Sequence, residues 1–172
     1  MFCLRSALIV AVPAALLFGA AHAGTTIVGK VVGIQDGDTL TVLDMELTQH
    51  RIRLAGIDAP ERGQAFGHKS VDHLSTLCFG MLVTAKCPKV DHYGRQVCTV
   101  VVDGKDVSLA QVTAGLAWHY KRFAHEQSAE EREAYAQAEE TARMGKVGLW
   151  RDSDPMPPWE WRSLRRTTPR KQ

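Results

Sequence analysis

Hydrophobic and polar positions alternate along the first third of the chain. Thr26 to Ile34 is rich in β-branched residues and bounded by glycines, and predicts a strand. Asp36-Gly37-Asp38 reads as a turn, after which Thr39 to Leu43 alternates into a second strand. His50 to Leu54 repeats the period of two, with Ile52 and Leu54 on one face and Arg51 and Arg53 on the other. Short loops join these three, so they predict an antiparallel meander. Beyond Pro60 the period becomes helical: Val71, Leu74 and Cys78 share a stripe, Lys69, Asp72 and His73 lie largely off it, and Gly80 ends the segment. Met81 to Cys87 and Gln96 to Val102 return to strand, followed by a tight turn at Asp103-Gly104. Ser108-Leu-Ala-Gln111 has the form of a capping box opening a short helix that stops at Gly115, and Ser128-Ala-Glu-Glu131 opens a longer charged helix to about Met144. Asp154 to Trp161 holds Pro155, Pro157 and Pro158, and is expected to be an extended strap laying Trp159 and Trp161 on the surface. The order of elements predicts an α+β domain: a five-stranded antiparallel OB-type Greek-key β-barrel with three α-helices.

Composition changes this picture at the two ends. Arg5 precedes an almost wholly apolar run from Ala7 to Ala21, and Ala21-His22-Ala23 is a small-x-small cleavage pattern. The run is short for a bilayer-spanning helix, which needs about 20 residues. Residues 1–23 are therefore expected to be a signal peptide and the product to be exported, periplasmic or secreted, with no stable membrane association after cleavage. The barrel domain is expected over 24–152, and the strap and a basic tail over 153–172. The formal charge of +2 includes Arg5, so the mature domain is only mildly basic and polyanion binding must rely on local clusters. In the tail, Arg162, Arg165, Arg166, Arg170 and Lys171 face only Glu160, and are expected to be a solvated terminus. Cys78, Cys87 and Cys98 lie beyond the leader. Export allows one disulfide; Cys87 and Cys98 flank the Asp91–Arg95 turn and suggest a cross-strand pair, while a bridge from Cys78 to either stays open. No CxxC or histidine pair has zinc-ligand spacing.

Candidate chemistry is concentrated in three short segments. Asp38 begins the second strand and Asp58 follows the end of the third, ends that a meander can make neighbours, so the two carboxylates can share a divalent cation. Pro60 forces Ala59 into an extended conformation that can aim its carbonyl at the same ion. Asp36 reads as a turn-capping residue. Arg53 and Arg95 are two guanidinium forks able to grip phosphate oxygens and to stabilise the charge that develops on them in a displacement at phosphorus. Glu61, just after the Asp58-Ala-Pro turn, is placed to orient or deprotonate a water.

Asp36-Gly-Asp-Thr39, Arg53-Leu-Ala-Gly-Ile-Asp58-Ala-Pro-Glu61, Asp91-His-Tyr-Gly-Arg95 and the Gly148-Leu-Trp150 helix close, in this order and spacing, resemble the staphylococcal nuclease (thermonuclease) family over nearly all of the mature domain. The resemblance implies a five-stranded OB barrel with three helices and a Ca²⁺-dependent endonuclease that hydrolyses DNA and RNA to 3′-phosphate ends. It further implies Asp38, Asp58 and the Ala59 carbonyl as Ca²⁺ ligands, Glu61 as general base, and Arg53 and Arg95 as catalytic phosphate clamps. The segment between strand four and Asp91 is shorter than in the best-known member. Trp118-His-Tyr120-Lys-Arg-Phe123 does not cleanly match that member's nucleotide-pocket aromatics. Tyr93, Tyr120 and Phe123 are the candidates for stacking bases, a sequence-tolerant contact suited to a nonspecific nuclease. The domain is expected to act as a monomer.

Two other classes compete with this reading. A noncatalytic OB module binding nucleic acid or glycan would be expected to lose Arg53, Glu61 or Arg95, all of which are present. A phosphodiesterase for small nucleotides or lipid head groups would suit the mild net charge.

Overall fold

The computed structural model describes residues 24–167; the expected leader, Arg170 and Lys171 lie outside them. Five strands form the barrel: β1 (Thr25–Asp36), β2 (Thr39–Asp44), β3 (Gln49–Leu54), β4 (Leu82–Val90) and β5 (Gln96–Val102). Their order is β3-β2-β1-β4-β5, and β3 pairs with β5 to close the ring. Each neighbouring pair is antiparallel except this closing one, which is parallel, with Ile52 opposite Gln96 and Arg53 opposite Val97. The reason is parity: with five strands alternating in direction, the first and last of the row run the same way. The barrel is therefore mixed where the sequence pattern predicted antiparallel pairing throughout.

β1 is long because it serves two partners. Its first half pairs with β4 and its second half with β2, with register shifts after Val31 and Ile34 that bend it around the barrel. Gly29 lies where the two pairings overlap, and a Cβ there would come within 2.3 Å of the Leu43 carbonyl oxygen. Inside, Val31, Leu40, Val42, Ile52, Leu54, Val83, Ala85 and Val100 alternate inward as the period of two requires.

Helix α1 (Gly67–Cys78) seals one end with Leu74 and Cys78, while Val71 is only half-buried. α2 (Val107–Thr113) adds Val107 and Val112 to the same core. Its cap differs from the expected one. Asp106, not Ser108, accepts the N–H groups of Ser108 (2.8 Å) and Leu109 (3.3 Å). Ser108 and Gln111 are instead fully buried, because tertiary packing covers the first turn of this helix. α3 (Ala129–Met144) begins with the expected capping box: Ser128 Oγ accepts Glu131 N–H at 3.1 Å and Glu131 Oε2 accepts Ser128 N–H at 2.8 Å. Cys87 and Cys98 form the disulfide across β4 and β5, at the register shift between Lys86 and Lys89, and Cys78 is a free, buried thiol.

The C-terminal strap is half as expected. Residues 152–157 are irregular, but Pro158–Thr167 form a fourth helix, α4. Pro158 occupies its first position, where the missing N–H costs nothing because the first-turn donors have no intrahelical partner. Trp159 does dock on the domain: its ring stacks on Tyr120 at 5.5 Å and meets Trp118 edge-on at 5.6 Å, beside a second small core of Trp118, Ala142, Leu149 and Trp150.

Candidate active site

The Asp36–Asp38 turn is held from beneath. Gly37 packs so tightly on α1 that a Cβ would meet Ser70 Oγ at 1.8 Å, and its carbonyl accepts the buried Gln111 amide at 2.7 Å. Asp38 is thereby fixed at the start of β2. Its Oδ1 accepts the Thr39 hydroxyl (3.0 Å), and its Oδ2 accepts the Ala59 N–H (2.9 Å) and lies 3.1 Å from Arg53 Nη1. The Leu54 N–H donates to the Asp38 carbonyl at 2.8 Å, tying the end of β3 to the start of β2. The two strand ends are neighbours, as a meander allows.

Asp58 is fully buried in a short pairing of Ile57–Asp58 with Trp118–His119. Its Oδ1 accepts Arg53 Nη2 at 3.0 Å, so one guanidinium joins both carboxylates. Burial pushes the Asp58 carboxyl above its ordinary range, with the Asp38 charge adding to it and Arg162 and Arg53 opposing it. Glu61 is about one-third exposed on the loop before α1, six residues short of its first turn, so it is no helix-terminal charge. Asp36 sits at the rim, 3.8 Å from Arg62 Nε. Burial, then the charges of Asp38 and Glu61, raise its carboxyl against Arg62 and Arg51.

Arg95 reaches the same cleft from the β4–β5 connection. Gly94, with φ of 76°, turns the chain, and Asp91 accepts the N–H groups of Tyr93 and Arg95, both at 2.9 Å. The Asp91 Oδ2 then receives Arg95 Nε and Nη2, each at 2.8 Å, while Nη1 points to Thr39 Oγ1 at 3.3 Å. Parallel pairing of β3 with β5 is what sets this loop beside Arg53. Arg95, Thr39, Asp38, Arg53 and Asp58 thus form one continuous polar chain.

Asp38, Arg53, Asp58 and Arg95 line a cleft of about 790 Å³, together with Arg51, Arg122 and the aromatic side chains of Tyr93, Tyr120, Phe123 and Trp159. Tyr93 is 69% exposed with its ring against His92 (3.8 Å), and the Arg95 guanidinium lies 5.4 Å from the ring centre. Tyr120 has one face covered by Trp159 and meets Phe123 edge-on at 5.1 Å. All nine residues singled out from sequence, Asp38, Arg53, Asp58, Ala59, Glu61, Tyr93, Arg95, Tyr120 and Phe123, border this cleft.

Three residues were missed. Asp91 was visible in its motif, but its hold on Arg95 follows from the turn it caps. Thr39 joins Arg95 to Asp38 through a hydroxyl that sequence cannot orient. Arg162, expected to be solvated, forks onto Asp58 (Nη1–Oδ1 3.2 Å, Nη2–Oδ2 2.6 Å) and Glu61 (Nη1–Oε1 2.8 Å). No tail pattern signals this, because an exposed helix and a docked one share the same polar composition.

Two adjacent carboxylates with a guanidinium drawn onto them make a place where the fold demands positive charge. Hard oxygen donors of this kind fit a divalent cation. Among the described residues no group of three His, Cys, Asp or Glu side chains forms a metal site, so such an ion would draw on Asp38, Asp58 and non-side-chain oxygens.

Barrel and cleft together define an OB-type enzyme with a carboxylate- and arginine-lined site at its rim. The family model described as staphylococcal nuclease homologue matches residues 51–152. An "uncharacterized endonuclease" of Haemophilus influenzae is 40% identical over 133 residues, covering 77% of this chain and 71% of that protein. One of the same name from Escherichia coli is 40% identical over 135 residues, covering 78% and 84%. A "micrococcal nuclease" of Shigella flexneri is 38% identical over 143 residues, covering 78% and 79%. The chain belongs to the staphylococcal nuclease family, and is a nuclease: a hydrolase of nucleic acids with endonuclease relatives.

Proposed function

We propose that this protein is a Ca²⁺-dependent endonuclease that hydrolyses DNA and RNA without strong sequence specificity and leaves 3′-phosphate ends. The observation that carries the reading is the single guanidinium of Arg53 joining Asp38 and Asp58, with Glu61 and Arg95 in the same cleft. Asp38, Asp58 and the Ala59 carbonyl would hold the ion, which when bound supplies positive charge against the scissile phosphate.

The chain's own groups account for the rest. Arg53 and Arg95 bind the non-bridging oxygens, where negative charge grows as phosphorus is attacked, so they hold the transition state more strongly than the substrate. Glu61 takes a proton from the attacking water. The P–O5′ bond breaks with its electron pair passing to the 5′-oxygen, which takes a proton from solvent to become a hydroxyl, and the phosphate stays on the 3′ side. None of these contacts requires or excludes a 2′-hydroxyl, which is why both nucleic acids are accepted. Tyr93 and Phe123, both exposed at the cleft, offer π-surfaces to which any base can stack. Export after removal of residues 1–23 and action as a monomer complete the proposal.

The test is cleavage of single-stranded DNA and of RNA by the purified protein, with Ca²⁺ and then with excess chelator. Cleavage of both with Ca²⁺, abolished by chelator, is expected, with product ends that a 3′-phosphatase renders extendable. No cleavage in either condition would defeat the enzyme reading, and cleavage indifferent to chelator would defeat the calcium assignment.

A further inference from the structure

Helix α4 follows the family-matched segment, yet it supplies a wall of the cleft. Trp159, Arg162 and Arg166 are spaced i, i+3 and i+7, so they form one face of the helix, and all three border the cleft. The face is anchored at one end by Trp159 on Tyr120 and Trp118. Before the helix, the Gln64 amide donates to the Met156 carbonyl. At its centre Arg162 engages both oxygens of Asp58 and one of Glu61.

This contact competes with a bound cation for the same carboxylate. Asp58 Oδ1 accepts from both Arg53 (3.0 Å) and Arg162 (3.2 Å), and Oδ2 accepts from Arg162 at 2.6 Å, so Arg162 occupies an acceptor site on each oxygen. A divalent ion on Asp58 would share these oxygens with the fork and lie beside a guanidinium of like charge. Glu61 gives its Oε1 to the same guanidinium, which draws negative charge away from the carboxylate that would take a proton from water. We propose that Arg162 is a built-in counter-cation: α4 latches the site by placing Arg162 on Asp58 and Glu61, and Ca²⁺ displaces it, freeing Glu61 Oε1 and loosening the helix. The inference rests on the calcium assignment above. The two equilibria are linked, so what the latch takes from calcium affinity calcium must take from the latch. A ligand whose competent state is populated to only a tenth binds about tenfold more weakly than its intrinsic affinity.

The test is calorimetric titration of Ca²⁺ into chelator-stripped protein, comparing wild type with Arg162→Ala and Arg165→Ala. Arg165 is exposed on the same helix and removes the same charge without touching Asp58 or Glu61. Arg162→Ala is expected to bind Ca²⁺ about tenfold more tightly than wild type, and Arg165→Ala within about twofold of it. Hydrogen exchange of residues 158–167 in the unmutated protein gives a second reading: Ca²⁺ should raise it. Equal or weaker Ca²⁺ binding by Arg162→Ala, or exchange in α4 that Ca²⁺ leaves unchanged or slows, overturns the latch while the nuclease stands. If neither wild type nor Arg162→Ala binds Ca²⁺, the calcium assignment fails and the latch falls with it.

Discussion

Two arginines meet on one buried carboxylate, and they are held in opposite ways. Arg53 rises from β3, its place set by the ladder that pairs it with Thr39 on one side and Val97 on the other, and its side chain is 13% exposed. Arg162 comes from a ten-residue terminal helix, is 38% exposed, and is held by aromatic contacts of its neighbour Trp159. The bond lengths to Asp58 are similar, but the supports are not. A guanidinium fixed by a closed barrel is preorganised and loses nothing further when substrate arrives. One carried on a peripheral helix can be removed without opening the barrel. Distance alone therefore does not separate a working part of the site from its cover; the element behind the side chain does.

The largest expected effect tests the barrel side. Glu61→Gln should preserve fold and size but lower the rate of DNA cleavage by roughly 10² to 10⁴-fold, the range for loss of a general base, measured as initial rates at saturating Ca²⁺. An undiminished rate would mean that the hydrolytic centre does not depend on Glu61, and the contrast with α4 would lose its meaning.

Next comes Asp91→Asn, which keeps the turn but weakens the grip on Arg95. A loss of roughly tenfold in kcat/KM is expected, about the 1.4 kcal/mol that one charge-assisted hydrogen bond contributes. Burial by itself would raise the Asp91 carboxyl. The backbone and guanidinium of Arg95, together with the Tyr93 N–H, outweigh it and hold the carboxyl below its usual range. Its contribution is therefore complete above about pH 4 and is lost only as pH falls further. The variant should then differ from wild type at pH 7 and converge with it under acid conditions, seen in paired rate or melting profiles.

Trp159→Ala tests the helix side. Removing the stack on Tyr120 should cost about 1 kcal/mol and lower Tm by roughly 2–4 °C, while cleavage at saturating Ca²⁺ changes by less than about threefold. A rate loss as large as that of Glu61→Gln would place α4 inside the working machinery.

The smallest effect concerns Cys78, which both regions leave alone. Burial pushes its thiol up to about 12 from an ordinary 9.0. A raised value keeps the folded thiol protonated while the unfolded one ionises, so its contribution to stability is whole below pH 9 and declines as pH rises toward 12. In protein prepared without residues 1–23, and so without Cys3, Ellman's reagent at pH 8 should leave the native state almost untouched and titrate one thiol after unfolding without reductant.

Much of the barrel was legible because strands write their burial into the chain with a period of two, and Ile52, Leu54, Arg51 and Arg53 show it without ambiguity. Asp38 and Asp58 were legible as a pair because a three-strand meander leaves few arrangements of its ends. The capping residue of α2 was not, since Ser108 and Asp106 are both sound caps and only burial of Ser108 and Gln111 decides between them. The strap was read from its prolines, yet Pro158 is compatible with a helix at its first position. Arg162 was beyond reach for a further reason: no periodicity distinguishes a guanidinium that faces water from one that faces Asp58.

By itself, then, the sequence determined the strands, the sharp turns at Gly37 and Gly94, and the presence of three carboxylates and two guanidiniums in short, spaced motifs. Those are local properties, written by side-chain size, backbone freedom and charge. Tertiary structure alone decided that β3 and β5 close in parallel and bring Arg95 to Thr39, that Cys87 rather than Cys78 bridges to Cys98, and that α4 lays Arg162 across the site. These depend on which surfaces meet when the barrel closes. Contact between residues a hundred positions apart follows from packing the whole domain and not from any segment of it.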